Sequence, residues 1–140
     1  MTLDPYLSFD GNCREAFDFY KQVFGGEFRA MLTFGEAPPD VGIPQGEKDR
    51  IMHVSLPIGS STLMGSDSCS AFGPPPRAGD NFSIAISSSS REETDDLFAK
   101  LSQGGAAEMP PQDMFWGAYF GSCTDRYGIR WQINHQTEAQ

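Results

Sequence analysis

The chain has 140 residues, of which 39% are hydrophobic and 21% are charged, proportions typical of a globular protein. A chain of this length is expected to form a single domain. Nineteen acidic and ten basic residues give a formal net charge of −9, which argues against nucleic acid and anionic membranes as partners.

The sequence also lacks the marks of export or membrane insertion. Its apolar runs are far shorter than the ~20 residues that a spanning helix needs, and the N-terminal residues do not resemble a signal peptide. Three cysteines without CxxC spacing favour a reducing compartment, so we expect a cytoplasmic protein. Cys13 is expected in the core, whereas Cys69, in a Ser-rich loop, could be exposed.

The first predicted elements are a short strand over residues 5–9 and a helix that follows it. Asn12 and Glu15 have the spacing of a capping box, in which the side chain of each residue accepts a hydrogen bond from the backbone N–H of the other. Apolar residues then recur three and four positions apart, and Gly25 is suited to end the helix. The pattern predicts a helix from Asn12 to Gly25 with one face on a sheet.

Three more strands are predicted in this half, over residues 27–34, 51–57 and 62–66. Residues 58–61 have the composition of a hairpin turn between the last two strands. The segment over residues 35–49 is rich in Pro and Gly, and loops of this length often carry function.

The same order of elements recurs after a connection rich in Pro and Ser. A strand over residues 82–86 leads to a second capping box, Ser90 with Glu93, and to a helix that ends near Gly104. Further strands are predicted over 106–109, 116–123 and 129–135, with a break at Pro110-Pro111 after the first. We therefore predict an α+β fold of two βαβββ modules in one domain over 1–140: module one is 1–67, the connecting loop 68–80 and module two 81–136.

Several motifs resemble those of the vicinal-oxygen-chelate superfamily, which includes glyoxalases, bleomycin-resistance proteins and extradiol dioxygenases. Phe19-Tyr20 before Gly25 is similar to the end of the family's first helix, and residues 125–128 are similar to its D-x-x-G turn. The strand over residues 5–9, together with Phe115-Trp116-Gly117, resembles the PhnB-like branch. The resemblance implies glyoxalase/bleomycin-resistance-like half-barrels, a homodimer and a cavity for a small organic molecule.

Catalytic members of the superfamily hold a divalent metal with His and Glu side chains from both modules. The resemblance places the matching positions at about Pro5 or Tyr6, near Phe82, near Met64 to Ser66, and at Gln132. The residues there bind such ions poorly. We therefore expect no cofactor and no metal at the usual site, although an altered divalent-metal site is an alternative. The donors left for it are His53, Glu36 and His135.

Alternation along the last strand places Arg130, Gln132 and Asn134 on the face opposite Trp131 and Ile133. Arg130 and Gln132 are therefore candidate ligand contacts, since a guanidinium suits a carboxylate. The alternative is that they pair with acidic residues on neighbouring strands.

Other candidate ligand contacts are His53, Met64, Phe115 and Trp116. His53 has the chemistry of a general base, and it is our candidate catalytic residue, although a lone strand histidine is more often structural. Phe115 and Trp116 belong to an aromatic group with Tyr119 and Phe120. Such residues either wall a ligand pocket or form a core or dimer interface.

The sequence thus favours a binder of a small organic molecule that lacks the usual metal. The alternative is an enzyme of the same fold, with a rearranged metal site or with acid and base chemistry at His53. A purely structural, partner-binding protein is a third reading. The PhnB-like branch is sometimes labelled demethylubiquinone-methyltransferase-like, but the turns before both helices lack the Gly-rich pattern of such enzymes, so methyl transfer is not expected.

Overall fold

The structure, a computed structural model, describes residues 1–137, and the chain divides into two compact units between Arg77 and Ala78. The first unit contains β1 (Tyr6–Phe9), α1 (Cys13–Phe24), β2 (Ala30–Thr33), β3 (Ile51–Ile58) and β4 (Ser61–Asp67). The second contains β5 (Ile84–Ser87), α2 (Arg91–Ser102), β6 (Ala106–Met114), β7 (Ala118–Thr124) and β8 (Arg130–Gln136). In this part of the chain, neither helix is long and apolar enough to cross a membrane.

Each unit is one βαβββ module with a four-stranded sheet. The strand order is β1-β4-β3-β2 in the first sheet and β5-β8-β7-β6 in the second, so the two sheets have the same topology. In each sheet the first strand pairs in parallel with the last, and the other pairs are antiparallel. The predicted α+β fold with two modules of like design is confirmed.

The start of α1 differs from the prediction. Within the described residues, the Asn12 side chain makes no capping hydrogen bond. Instead, Oδ1 of Asp67 accepts from the backbone N–H of Gly11 at 2.8 Å and of Cys13 at 3.0 Å, and its Oδ2 accepts from Ile51 N at 2.8 Å. Asp67 is 4% exposed, and a buried carboxylate is a stronger acceptor than the Asn12 amide.

The start of α2 shows one of the two hydrogen bonds of the predicted capping box, and the second is shifted by one residue. Ser90 Oγ accepts a hydrogen bond from the backbone N–H of Glu93 at 3.0 Å. The Glu93 carboxylate reaches back to the backbone N–H of Ser89, also at 3.0 Å, one residue before the cap. Both partners lie within four residues of one another, so local sequence was sufficient to identify them.

Close packing of α1 on its sheet depends on Gly65 in β4. A Cβ at this position would lie 2.7 Å from Cε2 of Phe17 and 2.9 Å from the carbonyl oxygen of Leu7. Phe17 is fully buried, as are its helix neighbours Cys13 and Tyr20. The absence of a side chain at Gly65 is therefore what lets the Phe17 ring lie directly against the strand.

The predicted break at Pro110-Pro111 is wrong, since β6 continues through both prolines to Met114. The register of β6 against β7 shifts on both sides of Met109, so the strand is bulged there. A strand at the edge of a sheet pairs on one side only, and proline, which has no N–H, is tolerated at edges and bulges.

The turn between β7 and β8 explains the D-x-x-G motif. Oδ1 of Asp125 accepts from the backbone N–H of Tyr127 at 2.8 Å and of Ile129 at 3.1 Å, while Oδ2 accepts from Nε1 of Trp131 at 2.8 Å. Gly128 has a φ of 87°, a conformation that favours glycine. These contacts give the motif a structural role.

Replacing Asp67 by Asn is expected to lower the free energy of unfolding by about 2 to 3 kcal/mol, because hydrogen bonds to the buried carboxylate are weakened and one N–H faces an NH₂ group. The measurement is urea unfolding at neutral pH. Asp96→Asn is the control, because Asp96 forms an exposed pair with Lys100 at 2.9 Å and should cost less than about 0.5 kcal/mol. Equal losses in the two variants would contradict the role of Asp67.

Gly65→Ala is expected to destabilise the protein by about 1 to 3 kcal/mol through overpacking against Phe17 and Leu7. Gly46→Ala is the matched control, since a Cβ there meets no described heavy atom within 4 Å. Its stability should stay the same or rise by up to about 1 kcal/mol, because alanine restricts the unfolded chain. Thermal or urea unfolding of both variants tests the difference, and a Gly65→Ala protein as stable as Gly46→Ala would contradict it.

Candidate functional site

The face of the first sheet opposite α1 carries the first group of candidate residues. Residues that pair directly across strands share a face, and the register places Ala30, Ser55, Met64 and Tyr6 in one row. The neighbouring Gly65 lies under Phe17 of α1, so this row is on the other side of the sheet. We call this side the first open face.

Tyr6 and His53 form a contact pair on the first open face. Tyr6 Oη lies 3.2 Å from His53 Nδ1, and the two rings are stacked with centroids 5.8 Å apart and planes 26° from parallel. When Tyr6 donates to Nδ1, the imidazole carries its proton on Nε2 and offers it as a donor. Tyr6 is 48% exposed, so the pair is accessible to a ligand from solvent.

Apolar side chains surround this polar pair. Leu32 lies opposite His53 in the neighbouring strand and is 39% exposed, while Met64 lies opposite Tyr6. The first open face thus combines a hydroxyl, an imidazole and apolar surface. This combination suits a small organic molecule that has one polar group and an apolar body.

The donor set does not assemble into a metal centre. Among residues 1–137, no group of three or more His, Cys, Asp or Glu side chains is placed to hold a metal ion. The Glu36 carboxylate accepts from the backbone N–H of Thr33 at 2.7 Å, and Nδ1 of His135 lies 3.2 Å from the Ser88 carbonyl. The residues named for an altered site therefore have separate partners, and the expected lack of a cofactor stays a prediction.

The face of the second sheet opposite α2 carries the second group. Phe120 pairs with Gln112 on one side and Asn134 on the other, and Ser122 pairs with Gln132. Trp131 and Ile133 are buried, whereas Gln132 is exposed, which confirms the alternation predicted for the last strand. We call the side with Gln132 and Asn134 the second open face.

The aromatic group divides between the two sides of this sheet. Phe115 is 97% exposed and lies edge-on to Trp116 at a centroid distance of 5.0 Å, and Trp116 lies 6.3 Å from Phe120. Tyr119 instead faces α2, where its hydroxyl donates to Asp95 at 2.7 Å and the Arg91 guanidinium lies 4.6 Å from its ring. The bond to Asp95 raises the pKa of the Tyr119 hydroxyl.

Arg130 lies away from these aromatic residues. Its guanidinium donates to the Asp80 carbonyl and lies 3.9 Å from the Glu108 carboxylate. Arg130 begins β8 and Gln136, which pairs with Ala118 near Trp116, ends it, so the two ends lie about 20 Å apart. The contacts favour the ion-pair alternative for Arg130.

The predicted contact residues therefore form three groups. His53 and Met64 lie on the first open face, Gln132, Phe115 and Trp116 are in the second unit, and Arg130 is at the far end of β8. The sequence did not identify Tyr6 or Asn134 as contacts. The alternation of Tyr6 with Leu7 and of Asn134 with Ile133 was the available signal, but their neighbours come from other strands.

The three cysteines are all buried and unpaired. Cys69, for which the sequence allowed exposure, is only 4% exposed. Its carbonyl accepts from the N–H groups of Phe72 and Gly73, and the loop folds into a turn there. Cys13 is in the core, as predicted. Burial, with the nearby Asp67 carboxylate, raises the pKa of Cys13 to about 12, and burial raises that of Cys123 to about 11.

Comparison with known proteins gives a consistent family match. Residues 2–134 match the family model described as 3-demethylubiquinone-9 3-methyltransferase. Protein YjdN of Escherichia coli (strain K12) is 34% identical over 143 residues, which cover 96% of this chain and 95% of that protein.

Solved structures agree with this match. Protein PA1353 from Pseudomonas aeruginosa is 42% identical with a TM-score of 0.86, covering 99% of both chains. A putative 3-demethylubiquinone-9 3-methyltransferase, PhnB protein, from Bacillus cereus is 26% identical with a TM-score of 0.77, covering 96% of this chain and 99% of that one. A glyoxalase/bleomycin resistance protein/dioxygenase family enzyme from Burkholderia phytofirmans PsJN, 17% identical with a TM-score of 0.63 and covering 96% of this chain and 99% of that one, shares the fold.

Native protein at mildly alkaline pH is expected to leave its thiols unmodified by Ellman's reagent over minutes, because the thiols are buried and the pKa values of Cys13 and Cys123 are raised. In guanidinium chloride all three cysteines should react. The absorbance of the released thionitrobenzoate measures both. A rapid reaction of one equivalent in the native protein would show that a thiol is accessible.

Proposed function

Because the chain belongs to the PhnB-like family of the vicinal-oxygen-chelate superfamily, we propose that it binds a small organic molecule without the metal of catalytic superfamily members. The observation that supports this most directly is the exposed Tyr6–His53 pair on the first open face. Of this pair, Tyr6 lies at about the position where the resemblance implies a metal-binding histidine, and a tyrosine hydroxyl suits an organic ligand better than a hard divalent ion.

In the proposed complex, the ligand's polar group bonds to the Tyr6 hydroxyl and the His53 imidazole. Its apolar body lies against Met64 and Leu32, whose side chains share this face. Each hydrogen bond to a neutral partner contributes about 0.5 to 1.5 kcal/mol, so the apolar contact supplies a large part of the affinity.

A second candidate function is acid and base catalysis at the same pair. An imidazole can accept a proton from a bound compound and return it, as a general base must, and the Tyr6 hydroxyl lies 3.2 Å from Nδ1 of His53. The family model and the Bacillus cereus protein have names that indicate methyl transfer, and S-adenosylmethionine is the compound that tests this for the present chain. Turnover of a bound compound distinguishes catalysis from binding.

We further propose that the protein acts as a cytoplasmic homodimer. The family resemblance supports the dimer, and three buried, unpaired thiols are consistent with a reducing compartment. Native mass spectrometry and sedimentation velocity at micromolar concentration test the oligomeric state, and a monomer in both would contradict the proposal.

A metabolite panel that includes S-adenosylmethionine is expected to contain a compound that raises the melting temperature. Tyr6→Phe should weaken binding of that compound about tenfold, since it removes one hydrogen-bonding group, and His53→Ala should weaken it at least as much. Tyr119→Phe and His135→Ala are the controls, because they remove the same groups in the second unit and should change the affinity little. Loss of affinity in the controls alone would contradict the assignment.

Removal of metal ions is expected to leave binding of the same compound unchanged. Protein produced without a histidine tag is dialysed against EDTA, and isothermal titration before and after dialysis compares the affinities. If elemental analysis found a stoichiometric divalent ion in the parent protein but not in His53→Ala, metal-free binding would be wrong and the rearranged metal site would be favoured.

A further inference from the structure

We infer that the second open face binds a ligand of one class: a neutral, planar molecule whose edge offers both hydrogen-bond donors and acceptors. This inference goes beyond the proposed function, because it concerns a surface of the second unit and not the Tyr6–His53 pair. It is carried by the juxtaposition of exposed aromatic rings with side-chain amides, which we call the amide–aromatic surface. Its residues are Gln112, Phe115, Trp116, Phe120, Gln132 and Asn134.

Cross-strand pairing brings the amides to the aromatic rings. Phe120 lies between Gln112 and Asn134 in one row across three strands, so a carboxamide flanks the ring on each side. Gln132 lies two residues from Asn134 on the same face of β8. A molecule lying over Phe120 is therefore within reach of amides from two different strands.

Most of the hydrogen-bonding capacity of these amides is free. Within residues 1–137, the side chains of Asn134 and Gln132 have no protein hydrogen-bond partner, and Gln112 makes one long bond to the Pro110 carbonyl at 3.4 Å. Each carboxamide presents two donor hydrogens and an acceptor oxygen. A ligand that complements them must therefore offer both acceptors and donors.

The charges that flank this surface are already paired, which favours a neutral ligand. Arg130, four residues before Asn134 and about 13 Å from it along β8, lies near the Glu108 carboxylate. Asp113, next to Gln112, forms a two-pronged ion pair with Arg91 at 2.5 and 3.3 Å. Neither charge is available to a bound ion, and the net charge of −9 opposes an anion further.

The exposed rings favour a planar molecule. Trp116 is 45% exposed and Phe115 is 97% exposed, and the two rings are almost perpendicular, at 84°. A flat ring can stack on one of them and meet the edge of the other, a geometry that aromatic groups prefer. Exposed aromatic side chains beside amides that have few protein partners are the combination that a flat heteroaromatic amide complements.

The experiment compares three probes of one shape: quinoline-3-carboxamide, quinoline-3-carboxylate and 3-methylquinoline. They are titrated into nitrogen-15-labelled full-length protein, and proton–nitrogen spectra report the side-chain amides and indoles. The carboxamide should bind at least about tenfold more tightly than either relative, because the carboxylate lacks donors and the methyl compound lacks a polar edge.

The chain has two tryptophans, which give an internal control. The indole signal of Trp116 and the amide signal of Asn134 should shift with the carboxamide, whereas the indole of Trp131, buried and donating to Asp125, should not. Asn134→Leu and Trp116→Ala should each weaken binding about tenfold or more. Phe82→Ala is the matched control, since Phe82 is an exposed aromatic residue of the same unit and should have little effect.

The possible outcomes separate this inference from the proposed function. Tighter binding of the carboxylate, equal binding of all three probes or no binding would overturn the ligand class. The carboxamide could instead shift the backbone amide signal of His53, leave the indole signal of Trp116 unchanged and lose its binding in Tyr6→Phe. That result would overturn the amide–aromatic surface and leave the proposed function intact. If no compound of the metabolite panel binds but the carboxamide binds as expected, the proposed function of the Tyr6–His53 pair would be wrong and the amide–aromatic surface would stand.

Discussion

The carboxylate of Asp67 is the interaction on which the first unit depends. It lies at the end of β4 and accepts three backbone hydrogen bonds, two from the start of α1 and one from the start of β3. One side chain thus satisfies three backbone donors, two of them in buried bonds that would otherwise leave an N–H without a partner. His53 lies in β3, two residues after Ile51, and Met64 lies in β4, three residues before Asp67. The bond between Ile51 and Asp67 therefore joins the two strands that carry these side chains on the first open face.

Asp125 has a comparable role in the second unit, although it occupies a different place in the module. Its carboxylate closes the β7–β8 turn and bonds to the indole of Trp131, so it positions the start of β8, the strand that carries Gln132 and Asn134. In both units a buried acidic residue joins neighbouring elements on the core side. The opposite face of each sheet carries the candidate contact residues.

The two modules share their topology but not the chemistry of their open faces. The first open face presents a phenol, an imidazole and a thioether, whereas the second presents carboxamides and aromatic rings. A shared fold therefore does not imply a shared ligand contact, and the two faces must be assigned residue by residue. The family match places the chain among proteins of this fold, while the side chains on the open faces limit what it can bind.

Local sequence alone determined the features whose partners are close along the chain: the Ser90–Glu93 cap, the hairpin at residues 58–61, the alternation in β8 and the repeat of the module. Tertiary structure decided the rest. The cap of α1 is Asp67, 54 residues from Cys13, and no local pattern identifies it. The position of β6 at a sheet edge allows it to continue through Pro110-Pro111. Strand order and register bring Tyr6 to His53 and Arg130 to Glu108, although these residues are distant along the chain. The spacing of residues along the chain does not encode strand order or register.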